Sequence, residues 1–158
     1  MTRMFICLVM FSLVSGCLLA PPIQRIPFPV SEYDKLSKKG TASVQGQVFM
    51  KTRSGDVKLG AGNEAFLNPV TTYSFQWYKQ TYQQGKVLSA PDPRYDGYMI
   101  TTITDAQGKF KLRNVPPGEY FLVSSVFWED RSDELQGGYI AKWIRVEDGI
   151  AYECILTR

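Results

Sequence analysis

Thr102-Ile103-Thr104-Asp105-Ala106-Gln107-Gly108-Lys109-Phe110-Lys111-Leu112-Arg113-Asn114-Val115-Pro116-Pro117-Gly118-Glu119-Tyr120 carries the chain through two turns and into a long apolar run. Residues 98–104 are rich in β-branched and aromatic side chains, which suit a pleated, half-buried strand. Asp105-Ala106-Gln107-Gly108 is a turn composition and leads into the alternation Lys109-Phe110-Lys111-Leu112, so a hairpin is expected here. Asn114-Val115-Pro116-Pro117-Gly118 is a second turn. It delivers residues 119–128, whose large apolar groups on both faces fit a strand covered on two sides or one facing a partner.

Working outward, Ala42, Val44, Gly46, Val48 and Met50 alternate with polar residues over 41–51, the mark of a strand with one face in a core. Short strands are expected at 57–59 and 64–67, separated by Gly60-Ala61-Gly62 and closed by Pro69. Gly137-Gly138 restarts the chain into 139–147, and Asp148-Gly149 reads as a tight hairpin turn into 150–157. Some seven short strands at regular spacing indicate an all-β sandwich.

The stretch 102–120 resembles the core motif of carboxypeptidase regulatory-like domains, a T-x-T-D-x-x-G-x-F hairpin followed by N-[VL]-P-P-G-x-Y. Residues 44–48 look like that family's first strand and 62–69 like its second, so the likeness covers 41–158. It implies a seven-stranded transthyretin-like (prealbumin-like) sandwich. Within the motif residues Asp105, Gly108, Phe110, Asn114, Pro116, Pro117, Gly118 and Tyr120, the two glycines are expected at positive φ. Phe110 and Tyr120 should plug the core, and the prolines should fix the corner. Domains of this type serve as accessory modules, adhesin stalks or periplasmic interaction units. The transthyretin-related hydrolases depend on histidines, and this chain has none.

The 158 residues suffice for one domain, and 44% hydrophobic content allows a packed core. The missing histidines remove the commonest general base and every histidine metal site. A net charge of +3 with scattered cations does not suit a nucleic-acid binder. The chain is accordingly expected not to be an enzyme. Trp128-Glu129-Asp130-Arg131-Ser132-Asp133-Glu134 is acidic but has no calcium-loop spacing, and is expected to be a solvated loop.

The N-terminus has Arg3, an apolar run over 4–14 and small residues at Ser15 and Gly16. That run is well short of the roughly 20 residues that span a bilayer, so 1–16 reads as a cleaved secretory signal. Val14-Ser15-Gly16-Cys17 resembles the lipobox of bacterial lipoproteins, where cleavage precedes a cysteine carrying diacylglycerol and an N-acyl chain. The resemblance implies lipidation of Cys17 and no other cofactor. With Leu18 rather than aspartate next, it also implies outer-membrane anchoring with the domain in the periplasm. Residues 17–40, with prolines at 21, 22, 27 and 29, read as a lipidated, non-helical tether extending at about 3.1 Å per residue. Cys7 leaves with the signal and Cys17 takes lipid, so Cys154 is the remaining thiol. It should be buried or pair between chains; it shares a strand face with Ile150, Tyr152 and Leu156, and burial is expected.

The insert 70–98 is longer than the family core requires. Tyr73, Phe75 and Trp77 would share a face if extended, whereas Tyr73 with Trp77, or Tyr78 with Tyr82, would pair if helical. The family resemblance favours a short helix around 71–77. Tyr73, Trp77, Tyr78, Tyr82, Tyr95 and Tyr98 form the candidate surface for a partner or a glycan. The expected function is a structural or protein-interaction subunit of an envelope assembly for secretion, conjugation or surface construction. The alternative is a carbohydrate- or peptidoglycan-binding module.

Overall fold

The computed structural model describes residues 20–158. The chain forms α1 (Val30–Tyr33), β1 (Ala42–Lys51), β2 (Val57–Leu59), β3 (Glu64–Pro69), α2 (Thr72–Trp77), β4 (Ile100–Ile103), β5 (Lys109–Val115), β6 (Gly118–Glu129), β7 (Leu135–Val146) and β8 (Ala151–Thr157). A π-helical turn, Tyr78–Tyr82, continues α2, and a 3₁₀ turn spans Pro93–Tyr98. Lipobox residues Val14, Ser15, Gly16 and Cys17 lie outside the described residues.

Among the described residues, eight strands make two four-stranded sheets, one more strand than the seven expected. In the first sheet, β8 runs parallel to β1 over residues 43–49, so β5 and then β2 divide the other side of β1 between them, both antiparallel. The second sheet is wholly antiparallel, in the order β4-β3-β6-β7. Val44, Val48, Leu112 and Leu156 from the first sheet meet Leu67, Leu122, Ile140 and Ile144 from the second in one core. The alternation expected over 41–51 holds: Ala42, Val44, Val48 and Met50 are buried. Gly46 sits where β1 runs beside β8, and a Cβ there would stand 1.8 Å from the Cys154 carbonyl oxygen. Only glycine fits that approach.

Three connections differ from the sequence reading, and together they build the sandwich. Residues 102–112 are not a hairpin: β4 pairs with β3 and β5 pairs with β1, so the turn is an arch from one sheet to the other. Asp105 shapes it by accepting from Gln107 N (2.9 Å) and Lys109 N (2.8 Å). The Gly108 carbonyl accepts from Val48 N at 2.8 Å, drawing the chain onto β1. Gly108 has φ of +72°, as expected, but Gly118 is a strand residue; the left-handed residue of the second turn is Asn114, at φ 54°. There Tyr120 Oη donates to the Pro116 carbonyl (3.0 Å) from a side chain buried in the core beside Phe110. The third connection, 147–150, is also no hairpin. Asp148 accepts from both Thr41 N (2.8 Å) and Thr41 Oγ1 (3.0 Å), and β8 crosses to the first sheet to lie beside β1. Leu156 is buried and Tyr152 and Cys154 are half-buried against the core, on the face expected, whereas Ile150, which precedes the strand, is exposed and Cys154 is less buried than expected. Burial pushes the Cys154 thiol pKa up.

The proline-rich segment also differs from the expected free spacer. Residues 23–36 pack onto the insert: Ile23 N donates to Val87 O (2.8 Å) and Ser89 N to Ile23 O (2.9 Å), a two-residue parallel bridge. The prolines do prevent a long helix, but the single turn α1 follows Pro29 and turns Tyr33 fully inward. Apolar burial of Phe28, Tyr33 and Leu36 outweighs the solvation that a tether would keep.

Candidate functional site

The insert begins with a capping box. Thr71 Oγ1 accepts from Ser74 N (3.2 Å), while Ser74 Oγ accepts from Thr71 N (2.9 Å) and donates to the Pro69 carbonyl (2.6 Å). Glu32, reaching from α1, accepts from Thr72 N (2.8 Å) and Thr72 Oγ1 (2.6 Å), which places a carboxylate at the positive end of α2. The helix expected around 71–77 is therefore α2. It lies on the outer face of β6 and β7, where Phe75 and Tyr78 cover Phe121; the Tyr78 and Phe121 rings stack at 4.5 Å and 9°. This cover makes β6 buried on both faces, as its sequence implies.

The six candidate aromatics separate into two groups. Tyr73, Tyr95 and Tyr98 do not form an accessible surface. They pack with Phe28 and Tyr33 at one end of the molecule, with Tyr33, Tyr73 and Tyr95 buried. Phe28 stacks on Tyr33 at 4.4 Å, Tyr33 meets Tyr98 at 4.6 Å, and Tyr73 meets Tyr95 at 5.5 Å. Arg25 and Arg94 lie over Tyr73 and Phe28 at 5.3 and 4.7 Å. The hydroxyls are engaged: Tyr73 Oη accepts from Asp92 N (2.8 Å), Tyr95 Oη from Asn68 Nδ2, and Tyr33 Oη from Thr71 Oγ1 (3.1 Å). Loss of solvation pushes the Tyr33 phenol up to about 12 and raises that of Tyr95 further. This cluster is a second small core, not a site.

Trp77, Tyr78 and Tyr82 lie on the outer face and are half-buried. They join Phe127, Tyr139 and Trp143, which are 47%, 47% and 48% exposed, residues the sequence reading did not single out. Trp77 stacks with Tyr82 and meets Tyr139 edge-on, each at 6.2 Å; Phe127 meets Tyr139 at the same distance. Trp143 stands edge-on to Phe121 at 5.5 Å. A band of aromatic surface thus runs from Trp143 to Phe127 along β7, an edge strand of its sheet. The exposed rings cross their neighbours at 83°, 83° and 64°, so they form ridges and notches, not one flat platform. The signal for Tyr139 and Trp143 was present: they alternate with Ile140 and Ile144, which face the core.

The acids of 129–134 organise their own turn. Asp130 Oδ1 accepts from Ser132 N (2.8 Å) and Glu134 N (3.1 Å). Among the described residues, no group of three or more histidine, cysteine, aspartate or glutamate side chains could hold a metal, and no helix is long and apolar enough to cross a membrane.

No family model and no curated protein matches the chain. A solved structure from Pseudomonas aeruginosa, of a protein whose proposed role is carbohydrate binding, is similar over 85% of this chain and 99% of its own, at 25% identity and a TM-score of 0.77. The major pilin subunit of Bacillus cereus aligns over 75% of this chain and 29% of its own, at 13% identity and a TM-score of 0.41, too weakly to bear on the fold.

Proposed function

We propose that this chain is a non-catalytic, lipid-anchored envelope protein whose aromatic face docks another protein of the envelope. The observation that carries the proposal is the exposed band of Phe127, Tyr139 and Trp143 on an edge strand. Aromatic side chains are enriched at protein interfaces, and an unpaired strand edge beside them offers main-chain donors and acceptors for strand addition. The steep ring angles suit interdigitation with side chains better than stacking on a row of sugars. The lipobox at 14–17 supports anchoring through Cys17 to the outer membrane, with the domain in the periplasm. The motif 102–120 and the two-sheet architecture support the carboxypeptidase regulatory-like, transthyretin-like assignment. A chain without histidine suits an assembly role in secretion, conjugation or surface construction better than a catalytic one.

The second reading, saccharide binding, is favoured by the likeness to the Pseudomonas aeruginosa protein across nearly all of that protein's length.

Affinity purification of the full-length protein from mild-detergent envelopes of its host, beside a Tyr139→Ser/Trp143→Ser variant, tests the first reading. Wild type should elute within a large defined particle and the variant as a small one. A small wild-type particle with no companion protein would sink this reading and leave the second.

A further inference from the structure

At the end of the sandwich away from Pro69 and Tyr120, the last residues of β1 and β6, the first of β7, Lys58 of β2 and Arg158, which follows β8, border an open cleft of about 1210 Å³. Trp128 lines it while packing against the core, and its ring edge lies over Gly137, where a Cβ would come within 3.0 Å of the indole. Lys51, Arg53, Lys58, Arg131 and Arg158 also line it. None of these five cations lies within 4 Å of a carboxylate: the ion pairs among the described residues are Arg94 with Asp92 and Arg145 with Glu119, both elsewhere. Three acids, Asp56, Glu129 and Asp130, line the cleft against these five cations, which leaves an excess of positive charge, and two of the three are otherwise engaged. Asp56 accepts from Ser54 Oγ (3.1 Å), and Asp130 accepts the amides of its own turn.

We propose that this cleft binds an acidic oligosaccharide, its carboxylates facing the lysines and arginines and one sugar ring resting on Trp128. Single exposed ion pairs contribute little, so a ligand must present several anionic groups along the cleft to gain from five such cations. The volume exceeds that of usual small-molecule pockets, about 300–1,000 Å³, which favours an extended chain. One tryptophan offers a single apolar ring contact. A single-stranded nucleic acid would call for a succession of stacking aromatics, which the cleft lacks. The proposal rests on the saccharide reading above, moves its site from the aromatic face to the adjoining end of the sandwich, where Phe127 of that face gives way to Trp128, and specifies the charge of the ligand.

The test is calorimetric titration of the full chain in a zwitterionic detergent with tetragalacturonate, maltotetraose, oligothymidylate and inorganic sulfate. Tetragalacturonate should bind, weaken as salt is added, and bind at least about tenfold more tightly than maltotetraose. The exposed pair Arg131→Gln/Arg158→Gln should lower its affinity about tenfold with the fold intact, and Trp128→Phe should lower it independently. Tighter binding of oligothymidylate would overturn the proposal, as would displacement by sulfate at equal concentration, which would mark a simple anion site. Equal binding of both sugars, lost in Trp143→Ser and kept in the arginine variant, would overturn the cleft but leave the saccharide reading on the aromatic face. No binding of either sugar would overturn both.

Discussion

Gly46 has no room for even one carbon, because the Cys154 carbonyl of β8 lies where its Cβ would be. Gly46→Ala must push β1 and β8 apart or bend them, and a cost of at least about 1–3 kcal/mol is expected in chemical denaturation, with the midpoint falling at unchanged slope. Phe110 and Tyr120 differ from each other in an instructive way. Both are 5% exposed, but only Tyr120 makes a hydrogen bond, to Pro116. Phe110→Ala should therefore cost about 3–5 kcal/mol, whereas Tyr120→Phe, which keeps the ring, should cost about 0.5–1.5 kcal/mol. Burial raises the phenols of Tyr33, Tyr95 and Tyr120. A raised folded-state pKa means that the stabilisation is present below the ordinary value near 10 and is lost as pH climbs toward the folded value, about 12 for Tyr33. In a tyrosinate absorbance titration these three should ionise together with unfolding, and Tyr33→Phe should remove one ring from that late step. A smooth rise with no structural transition would contradict the buried cluster.

At the scale of elements, the placement of β8 depends on a short contact far from it in sequence. Asp148 holds Thr41 through two hydrogen bonds and sits low in pKa because of them, first the backbone bond and then the hydroxyl. With the folded value depressed, this contribution is present above the ordinary carboxylate range near 4 and fades as pH falls through the folded value. Asp148→Asn should speed amide exchange at the Ser43 and Ala151 end of the β1–β8 pair and leave the β6–β7 pair unchanged; equal protection in both proteins would show the contact to be incidental. Here the limits of sequence legibility are physical. Alternation within 41–51 and 150–156 reports which face of a strand is apolar, and both faces were read as they lie within the strands, Ile150 failing because it precedes β8 and is exposed. Turn composition reports only that the chain bends. Asp105 to Gly108 suits a hairpin and an arch alike, and the choice was made by partners distant in sequence, Val48 for Gly108 and Gly60 and Asn63 for Thr104. The aromatic site was legible in half: Trp77, Tyr78 and Tyr82 were named, while Phe127, Tyr139 and Trp143 stood in plain period-two positions and were overlooked.

For the molecule as a whole, the decisive fact is that residues 23–36 belong to the folded body. Proline spacing describes what a backbone cannot do, and here it said nothing of where Phe28 and Tyr33 would be buried. Two consequences follow. If Cys17 carries lipid, the six residues from it to the docked Ile23 reach at most about 20 Å, so the domain lies close to the bilayer and not at the end of a long stalk. The body also cannot be cut at residue 41 without loss, because Tyr73, Tyr95 and Tyr98 would be uncovered, the Thr72 amide would lose Glu32, and Ser89 would lose Ile23. A chain of residues 41–158 should therefore unfold at lower denaturant than one of residues 20–158, by at least about 3 kcal/mol, the scale of deleting one buried aromatic. Its insert should exchange amides fastest, since the lost contacts fall there. If the two chains unfold at the same denaturant concentration with equal slopes, the segment is a passive tether after all, and the short-reach anchoring argument falls with it.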